Sequence, residues 1–138
     1  MFNNKDILIT GGTGYFGRNF ISHLLKNYKP SKIVIFSRDE QKQYHLQNEF
    51  KDHKNKSILR FFIGDVRDQQ RLDMAFNKID IVIHAAALKH VPAAEYNPME
   101  CVKTNILGAQ NIIESSLRNG VKKVIALSTD KAANPINI

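Results

Sequence analysis

Apolar stretches rich in β-branched residues recur along this chain and alternate with segments of helical periodicity. The stretches are Ile7–Ile9, Ile33–Phe36, Leu59–Ile63, Ile79–Ile83 and Val124–Leu127. Strands that are apolar on both faces are typical of a parallel sheet with helices packed on each side. The pattern therefore predicts an α/β fold with a doubly wound parallel sheet of about five strands.

The first predicted helix comes directly after the first strand. Phe20, Ile21, Leu24 and Leu25 form one apolar stripe, and Pro30 ends the segment.

The last predicted helix carries signals at both ends. Asn97 is a candidate N-cap, Pro98 takes the first helical position and Glu100 lies three residues after the cap. Asn119-Gly120 ends the helix. Between these signals an apolar stripe runs at spacings of three and four, formed by Val102, Ile106, Ala109, Ile113 and Leu117.

A glycine-rich turn, TGGTGYFG at 10–17, joins the first strand to the first helix. Gly11, Gly14 and Gly17 are spaced G-x-x-G-x-x-G. In a strand-to-helix turn one glycine permits the tight turn, one lets backbone N–H groups approach a pyrophosphate, and one lets helix and strand pack closely. The phosphates then lie at the positive end of the helix. Together with the strand pattern, this turn predicts a Rossmann-type nucleotide-binding fold.

Length and composition are those of one ordinary globular domain. The chain has 138 residues, 43% of them apolar and 24% charged. It shows no secretion signal and no apolar run near the roughly 20 residues that span a bilayer, so we expect a soluble, cytoplasmic protein with no membrane partner. Cys101 is the only cysteine, which excludes an intrachain disulfide and a thiolate metal cluster; we expect it to be a buried thiol in a helix, and we expect no metal site.

The net charge of +7 is concentrated in the N-terminal part, where residues 1–60 hold eleven Lys and Arg against five acids. A basic protein raises the possibility of nucleic-acid binding. However, Lys51, Lys54 and Lys56 lie in a polar stretch without interleaved aromatics. We therefore interpret them as a solvated face and expect no nucleic-acid partner.

Residues directly after the strands are the candidates for ligand contact, because parallel sheets bind ligands beyond the carboxyl ends of their strands. The second strand leads into Ser37-Arg38-Asp39. An acid at the end of this strand suits the ribose 2′-hydroxyl of NAD, whereas a hydroxyl and a guanidinium suit the 2′-phosphate of NADP. Since Asp39 comes two residues late, the sequence favours NADP.

After the third strand, Asp65 has two interpretations: it accepts a hydrogen bond from an adenine amino group, or it caps the helix that begins near Asp68. After the fourth strand, three alanines come after His84 and leave room for a flat cofactor close to the backbone. We expect His84 to be packed or hydrogen-bonded rather than a metal ligand.

The fifth strand leads into Ser128-Thr129-Asp130-Lys131. A carboxylic acid and an amine side by side at this edge suit paired proton transfers. A structural ion pair or a solvated turn is the alternative interpretation.

These motifs together resemble the N-terminal part of the extended short-chain dehydrogenases/reductases, and in particular the inverting UDP-N-acetylglucosamine 4,6-dehydratases of bacterial pseudaminic acid synthesis. The segments that carry the resemblance span the whole chain: ITGGTGYFG at 9–17, FSRDE at 36–40, FFIGDVRD at 61–68, HAAALKHVPAAEYNPMECVKTNILGAQN at 84–111 and ALSTDKAANPIN at 126–137. The first segment is common to the superfamily, whereas AALKHVP and STDKAANPIN are much narrower signals. Tyr15 stands where the family usually has serine.

The resemblance implies a redox cycle with no net redox change. Hydride leaves sugar C4 for NADP, water is eliminated across C5 and C6, and hydride returns to C6 with inversion at C5. Asp130 would assist loss of the C6 hydroxyl and Lys131 would be the base at C5, with Thr129 beside them. Retaining relatives have glutamate in place of that lysine. The resemblance also implies that Lys89 and His90 contact the UDP-N-acetylglucosamine substrate and that the full-length protein is a homo-oligomer.

The residues assigned to the cofactor, NADP, are Gly11, Thr13, Gly14, Tyr15, Phe16, Gly17, Ser37, Arg38, Asp39, Glu40, Lys42, Asp65, Val66, Ala85, Ala86, Ala87, Asn105 and Thr129.

The tyrosine and lysine of the family's Y-x-x-x-K motif would come after Ile138. We therefore expect residues 1–138 to be the cofactor-binding fragment, truncated before the substrate domain, and to be inactive and poorly soluble or oligomeric alone. The alternatives are a UDP-sugar 4-epimerase or another extended reductase, and a nucleotide-binding module without catalysis.

Overall fold

The computed structural model describes residues 1–85, 99 and 103–127. In chain order its elements are β1 (Asp6–Thr10), α1 (Tyr15–Asn27), β2 (Lys32–Ser37), α2 (Glu40–Glu49), a 3₁₀ turn (Lys56–Ile58), β3 (Leu59–Ile63), α3 (Gln69–Ala75), β4 (Ile81–His84), a π-helical turn (Lys103–Leu107), α4 (Gly108–Asn119) and β5 (Lys123–Ala126). The five strands lie in the order β3-β2-β1-β4-β5 and every pairing is parallel. The predicted α/β fold is confirmed, and each predicted strand matches an observed one to within two residues at either end.

The direction of chain winding changes between β1 and β4. The chain moves outward from β1 through β2 to β3, then returns to place β4 on the other side of β1. The helices that come after β1 and β4 therefore diverge, and a crevice opens above the carboxyl ends of these strands. This is where a Rossmann-type sheet binds its ligand.

The sheet separates two apolar clusters, as expected for strands that are buried on both faces. Ile7 and Ile9 of β1 pack with Ile21 and Leu24 of α1 on one face. Leu8, which points the other way, packs with residues of α3 and α4. Alternate residues of one strand thus supply both layers of the core.

Helix α1 confirms the sequence pattern. Ile21, Leu24 and Leu25 are buried, Phe20 packs at the margin of the same cluster, and the helix ends at a cap on Tyr28, two residues before Pro30.

The predicted apolar stripe of the last helix is wrong for its described residues in the π-helical turn and in α4. Ile106, Ile113 and Leu117 are 60%, 56% and 78% exposed. The buried residues are Gly108, Ile112, Ser115 and Ser116. Small residues on this face allow α4 to approach α3, and Ile112 alone supplies the large side chain that joins the core. The end of the helix is as predicted, because Gly120 adopts a left-handed conformation with φ 69°.

The expectation of two apolar faces also fails for β5. Lys123, Val124 and Ala126 are exposed, and the strand lies at an edge of the sheet as the structure describes it. The proposed cap residues Asn97, Pro98 and Glu100, together with Val102 and Cys101, lie outside the described residues.

The basic stretch after α2 lies on the surface, where Lys51, Lys54 and Lys56 are exposed as predicted. Within the described part of the chain, no helix combines the length and the apolar character needed to cross a membrane.

Candidate functional site

The glycine turn between β1 and α1 divides three tasks among three glycines. Gly11 has φ 71°, a left-handed conformation that turns the chain sharply out of β1. At Gly17 an added Cβ would lie 2.3 Å from the carbonyl oxygen of Gly12, so only glycine lets α1 pack this closely on the turn. The tight turn and the close packing predicted from the sequence are both present.

Gly14 differs from these two glycines because neither its backbone angles nor its neighbours demand glycine. Its φ is −78°, and an added Cβ would meet only the Gly11 carbonyl oxygen, at an ordinary 3.5 Å. Gly14 is exposed and is the N-cap of α1, where no side chain caps the helix and no acid lies in the first turn. Gly14 thus leaves the first N–H groups of α1 without a cap from its own position, and such N–H groups bind phosphate at helix N-termini.

A cleft of about 260 Å³ lies at the carboxyl ends of β1, β2, β3 and β4. The predicted cofactor residues that line it are Gly11, Thr13, Gly14, Ser37, Arg38, Asp39, Lys42, Asp65, Val66 and Ala85. Four separate motifs of the sequence thus meet in one place. The glycine turn forms one wall of the cleft, and the start of α2 forms the other.

Ser37 and Arg38 differ in how free they are to meet a ligand. Ser37 is 9% exposed, and its Oγ accepts a hydrogen bond from Gln43 Nε2 at 2.9 Å. The serine hydroxyl keeps its own hydrogen for donation. Arg38 has a side chain 60% exposed, so its guanidinium can reorient toward an anion in the cleft.

Asp65 is held by two arginines on the far side of the cleft. Its carboxylate accepts hydrogen bonds from Arg67 Nη2 at 2.8 Å and from the Arg67 backbone N–H at 2.9 Å, and Arg38 Nη1 lies 3.9 Å from Oδ2. Partial burial raises the pKa of Asp65, but the hydrogen bonds and charge of Arg67 and the charge of Arg38 outweigh it and hold the pKa below its usual value. Asp65 therefore presents a carboxylate to the cleft.

The interpretation of Asp65 as a helix cap is wrong. The N-cap of α3 is Asp68, whose side chain accepts from the Arg71 N–H at 3.2 Å. Asp39 has the same role in α2, because its Oδ1 accepts from the Lys42 N–H at 3.0 Å. The capping bond ties Asp39 to the helix end, as expected for a carboxylate at this position.

His84 is buried and hydrogen-bonded, as predicted. Its Nδ1 lies 2.8 Å from Thr10 Oγ1 at the carboxyl ends of the paired strands β4 and β1. Burial lowers the pKa of His84 because the charged ring is poorly solvated there. In the described ranges 1–85 and 103–127, no group of three or more His, Cys, Asp or Glu side chains is arranged to hold a metal ion.

Five of the predicted cofactor residues lie in described positions but do not line this cleft. Tyr15 is 81% exposed at the first position of α1, and Phe16 stacks on Phe20 with ring centroids 5.5 Å apart. Gly17 packs on Gly12, and Asn105 lies in the π-helical turn. Glu40 lines a wider groove that continues outward from the cleft past Arg38 and Asp65. The other predicted site residues, Ala86, Ala87, Lys89, His90, Thr129, Asp130 and Lys131, lie outside the described residues.

Five residues missing from the predicted set line the cleft or its outward groove. Gly64 and Phe36 line the cleft, and Gln41, Tyr44 and Arg67 line the groove. An added Cβ at Gly64 would lie 2.5 Å from the Phe36 ring, so the glycine lets the chain leave β3 against that ring. The position of Gly64 directly after an apolar strand was the available signal. No pattern in the sequence pointed to Arg67, because its contact with Asp65 depends on the turn between the two residues.

A parallel sheet with a reversal of winding at β1, a glycine turn at the same point and a cleft above it define a Rossmann-type α/β fold. Comparison with known sequences then gives the family. Residues 7–138 match the family described as polysaccharide biosynthesis protein, and the chain belongs to this family.

Curated relatives match almost the whole chain. The chain is 62% identical over 138 residues to the inverting UDP-N-acetylglucosamine 4,6-dehydratase of Campylobacter jejuni subsp. jejuni strain 81-176, covering 100% of this chain and 40% of the relative. It is 49% identical over 140 residues to the UDP-glucose 4-epimerase of Rickettsia prowazekii, covering 99% of this chain and 40% of the relative. The chain thus spans about two fifths of the length of these relatives.

Solved structures show the same fold. Pen from Bacillus thuringiensis superimposes with a TM-score of 0.91 at 44% identity, covering 99% of this chain and 41% of that one. DesIV from Streptomyces venezuelae, a dTDP-glucose 4,6-dehydratase with NAD and TYD bound, superimposes with a TM-score of 0.82 at 26% identity, covering 96% of this chain and 42% of that one.

Proposed function

We propose that the cleft binds the dinucleotide NADP and that the chain is the cofactor-binding part of a 5-inverting UDP-N-acetylglucosamine 4,6-dehydratase. The observation that carries the proposal is the meeting of two anion-binding features in one cleft. The cleft is lined by Gly14, the N-cap of α1 that has no side chain to cap the helix, and by the cationic residues Arg38 and Lys42. A dinucleotide with a 2′-phosphate presents anionic groups at both places.

The choice of NADP over NAD rests on the residues at the carboxyl end of β2. The carboxylate that could hold a ribose 2′-hydroxyl, Asp39, already accepts the capping hydrogen bond of α2. The Arg38 side chain is exposed, and its contact with Asp65 is long, at 3.9 Å, because Asp65 is bound to Arg67 at 2.8 Å. A guanidinium in this position binds a phosphate more readily than a neutral hydroxyl.

The choice of a dehydratase rests on the 62% identity with the C. jejuni enzyme over the whole chain. NADP would supply hydride acceptance and return. Lys131, in its neutral form, would take the C5 proton, while Asp130 would give a proton to the departing C6 hydroxyl, so that water leaves and a C5–C6 double bond forms. The protein would act on UDP-N-acetylglucosamine in the synthesis of nucleotide sugars for bacterial surface glycans.

The experiment is an NMR assay of the intact protein, the gene product that carries this chain, with UDP-N-acetylglucosamine in D₂O. We expect the 4-keto-6-deoxy product with deuterium at C5. Lys131→Ala should slow C5 exchange by about 10²-fold or more while cofactor affinity stays close to that of the wild type, because a proton-transfer group contributes mainly to the transition state. Lys123→Ala, which removes an exposed lysine of β5, is the matched control. Normal C5 exchange in Lys131→Ala would remove this residue from the mechanism.

A UDP-sugar 4-epimerase is the second candidate, favoured by the 49% identity with the Rickettsia protein. The same NMR assay separates the two functions. An epimerase returns a sugar inverted at C4 that keeps its C6 hydroxyl, and it leaves the C5 proton in place.

A further inference from the structure

We propose that Thr10 and His84 form a positioning pair that sets the floor of the cleft, an inference that rests on the proposed nucleotide-binding function. Thr10 is the last residue of β1 and His84 the last of β4, and the two are register partners in the sheet. Their side chains meet at 2.8 Å between Thr10 Oγ1 and His84 Nδ1. Both are buried, Thr10 at 0% and His84 at 8% exposure.

Thr10 also fixes the chain beyond β4. The N–H of Ala85 lies 3.0 Å from Thr10 Oγ1 and 3.1 Å from the Thr10 carbonyl oxygen, so one residue supplies both acceptors. Because Oγ1 accepts from Ala85, its hydroxyl hydrogen is free to donate to the unprotonated Nδ1 of a neutral His84. Ala85 lines the cleft, and Gly11, the residue after Thr10, begins the glycine turn. The pair therefore joins the start of the glycine turn to the residue that follows β4.

A backbone hydrogen bond extends these contacts to the end of the neighbouring strand, β5. The His84 carbonyl oxygen accepts from the N–H of Leu127 at 3.0 Å. Leu127 directly precedes the segment 128–131 to which the proposed acid and base belong. A shift of the Thr10–His84 pair would thus move the backbone at three neighbouring strand ends, although neither side chain lines the cleft itself.

The test compares two substitutions at Thr10 in the intact protein, with NADPH as the probe. Thr10→Val keeps the shape of the side chain but removes the hydroxyl, whereas Thr10→Ser keeps the hydroxyl and loses a buried methyl group. We expect Thr10→Val to weaken NADPH binding about tenfold and Thr10→Ser to stay within about twofold of the wild type. Calorimetric titration measures the affinities, at a temperature where urea curves show each variant to be folded.

A purely structural role predicts a different ranking of the variants, because their NADPH affinities would then follow their free energies of unfolding. His84→Leu and His84→Asn repeat the comparison from the other side of the hydrogen bond, since asparagine places an amide near the position of Nδ1. We expect His84→Leu to resemble Thr10→Val, and His84→Asn to bind NADPH nearly as the wild type does. This second pair decides the matter if Thr10→Val does not fold.

The outcomes separate this inference from the proposed function. A wild-type protein that does not bind NADPH overturns both. The positioning role alone is overturned if the wild type binds NADPH and the folded variants Thr10→Val and His84→Leu bind it with the same affinity. It is also overturned if the variants lose NADPH affinity in proportion to their loss of stability.

Discussion

Asp39 shows how one residue can serve both the fold and the site. It caps α2 through Lys42 N–H, and it lines the cleft beside Arg38. Asp39→Asn keeps a capping oxygen and removes a negative charge next to the proposed 2′-phosphate. We expect the substitution to tighten NADPH binding roughly two- to fivefold with little change in stability, because an exposed like charge is worth roughly 0.5–1 kcal/mol.

Asp68→Asn is the matched control, since Asp68 caps α3 in the same way and does not line the cleft. It should leave NADPH affinity unchanged. If Asp39→Asn weakens NADPH binding, the carboxylate contacts the cofactor, and the 2′-phosphate assignment is wrong.

His84 gives the molecule a pH dependence of known sign. Burial lowers its pKa in the folded protein below the value of 6.5 that it has when solvated. The unfolded chain therefore takes up a proton first as the pH falls. The associated stability is fully present above pH 6.5, and it is lost between that pH and the lower folded pKa.

Urea unfolding at pH 5 and pH 8 measures this effect. We expect the wild type to be less stable at pH 5, and His84→Asn, which cannot titrate there, to show a smaller difference between the two pH values. The pKa of Asp65 is lowered from its usual value of 3.8, so this group affects stability only near or below pH 3.8 and does not contribute to the difference between pH 5 and pH 8. Equal pH dependence in wild type and variant would show that His84 is not its source.

At the scale of the element, the glycine turn separates folding from binding. Gly14→Ala places a methyl group where the protein leaves room, whereas Gly17→Ala places one 2.3 Å from the Gly12 carbonyl oxygen. We expect Gly14→Ala to keep its stability within about 0.5 kcal/mol and to weaken NADPH binding, and Gly17→Ala to be destabilised by about 1–3 kcal/mol or more. Urea curves and NADPH titrations of both variants test this division. Unchanged NADPH binding by Gly14→Ala would show that no phosphate approaches this part of the turn.

The sequence predicted the elements that local patterns determine. The β-branched stretches located each of the five described strands, and the glycine spacing located the turn, because residue type and local spacing carry both signals. It failed for α4, where spacing favoured Ile106, Ile113 and Leu117 but the buried face is built on Gly108, Ser115 and Ser116. Spacing cannot show that α3 lies so close that small residues must face it.

For the site, strand-end positions predicted most of the cleft, but the pairing of side chains across it was not predictable. The contacts of Asp65 with Arg67 and Arg38, and of Thr10 with His84, join residues whose meeting depends on turn geometry and on the strand order. Asp65 was open to two interpretations for the same reason. Asp68, three residues further on, supplies the cap instead.

At the scale of the whole molecule, the topology explains why these separate motifs form one site. Parallel strands bring their carboxyl ends to one edge, and the reversal at β1 opens that edge between β1 and β4. Two cationic residues, Arg38 and Lys42, line the cleft together with two acids, Asp39 and Asp65. The carboxylate of Asp39 accepts the capping hydrogen bond of α2 and that of Asp65 is bound by Arg67. Away from the residues that line the cleft, α4 exposes Ile113 and Leu117 and β5 exposes Val124.

If this cleft is an NADP site whose 2′-phosphate contact is Arg38, the intact protein must distinguish NADPH from NADH, and titration with each nucleotide measures the difference in affinity. We expect the wild type to bind NADPH more tightly. Arg38→Ala should reduce the ratio of the NADPH affinity to the NADH affinity by about 10- to 100-fold, because a charge-assisted contact contributes roughly 1.5–3 kcal/mol. Arg60→Ala, which removes an exposed arginine of the edge strand β3, should leave this ratio unchanged. Equal affinity of the wild type for NADPH and NADH, or a ratio that Arg38→Ala leaves unchanged, would contradict the assignment of this cleft to NADP through Arg38.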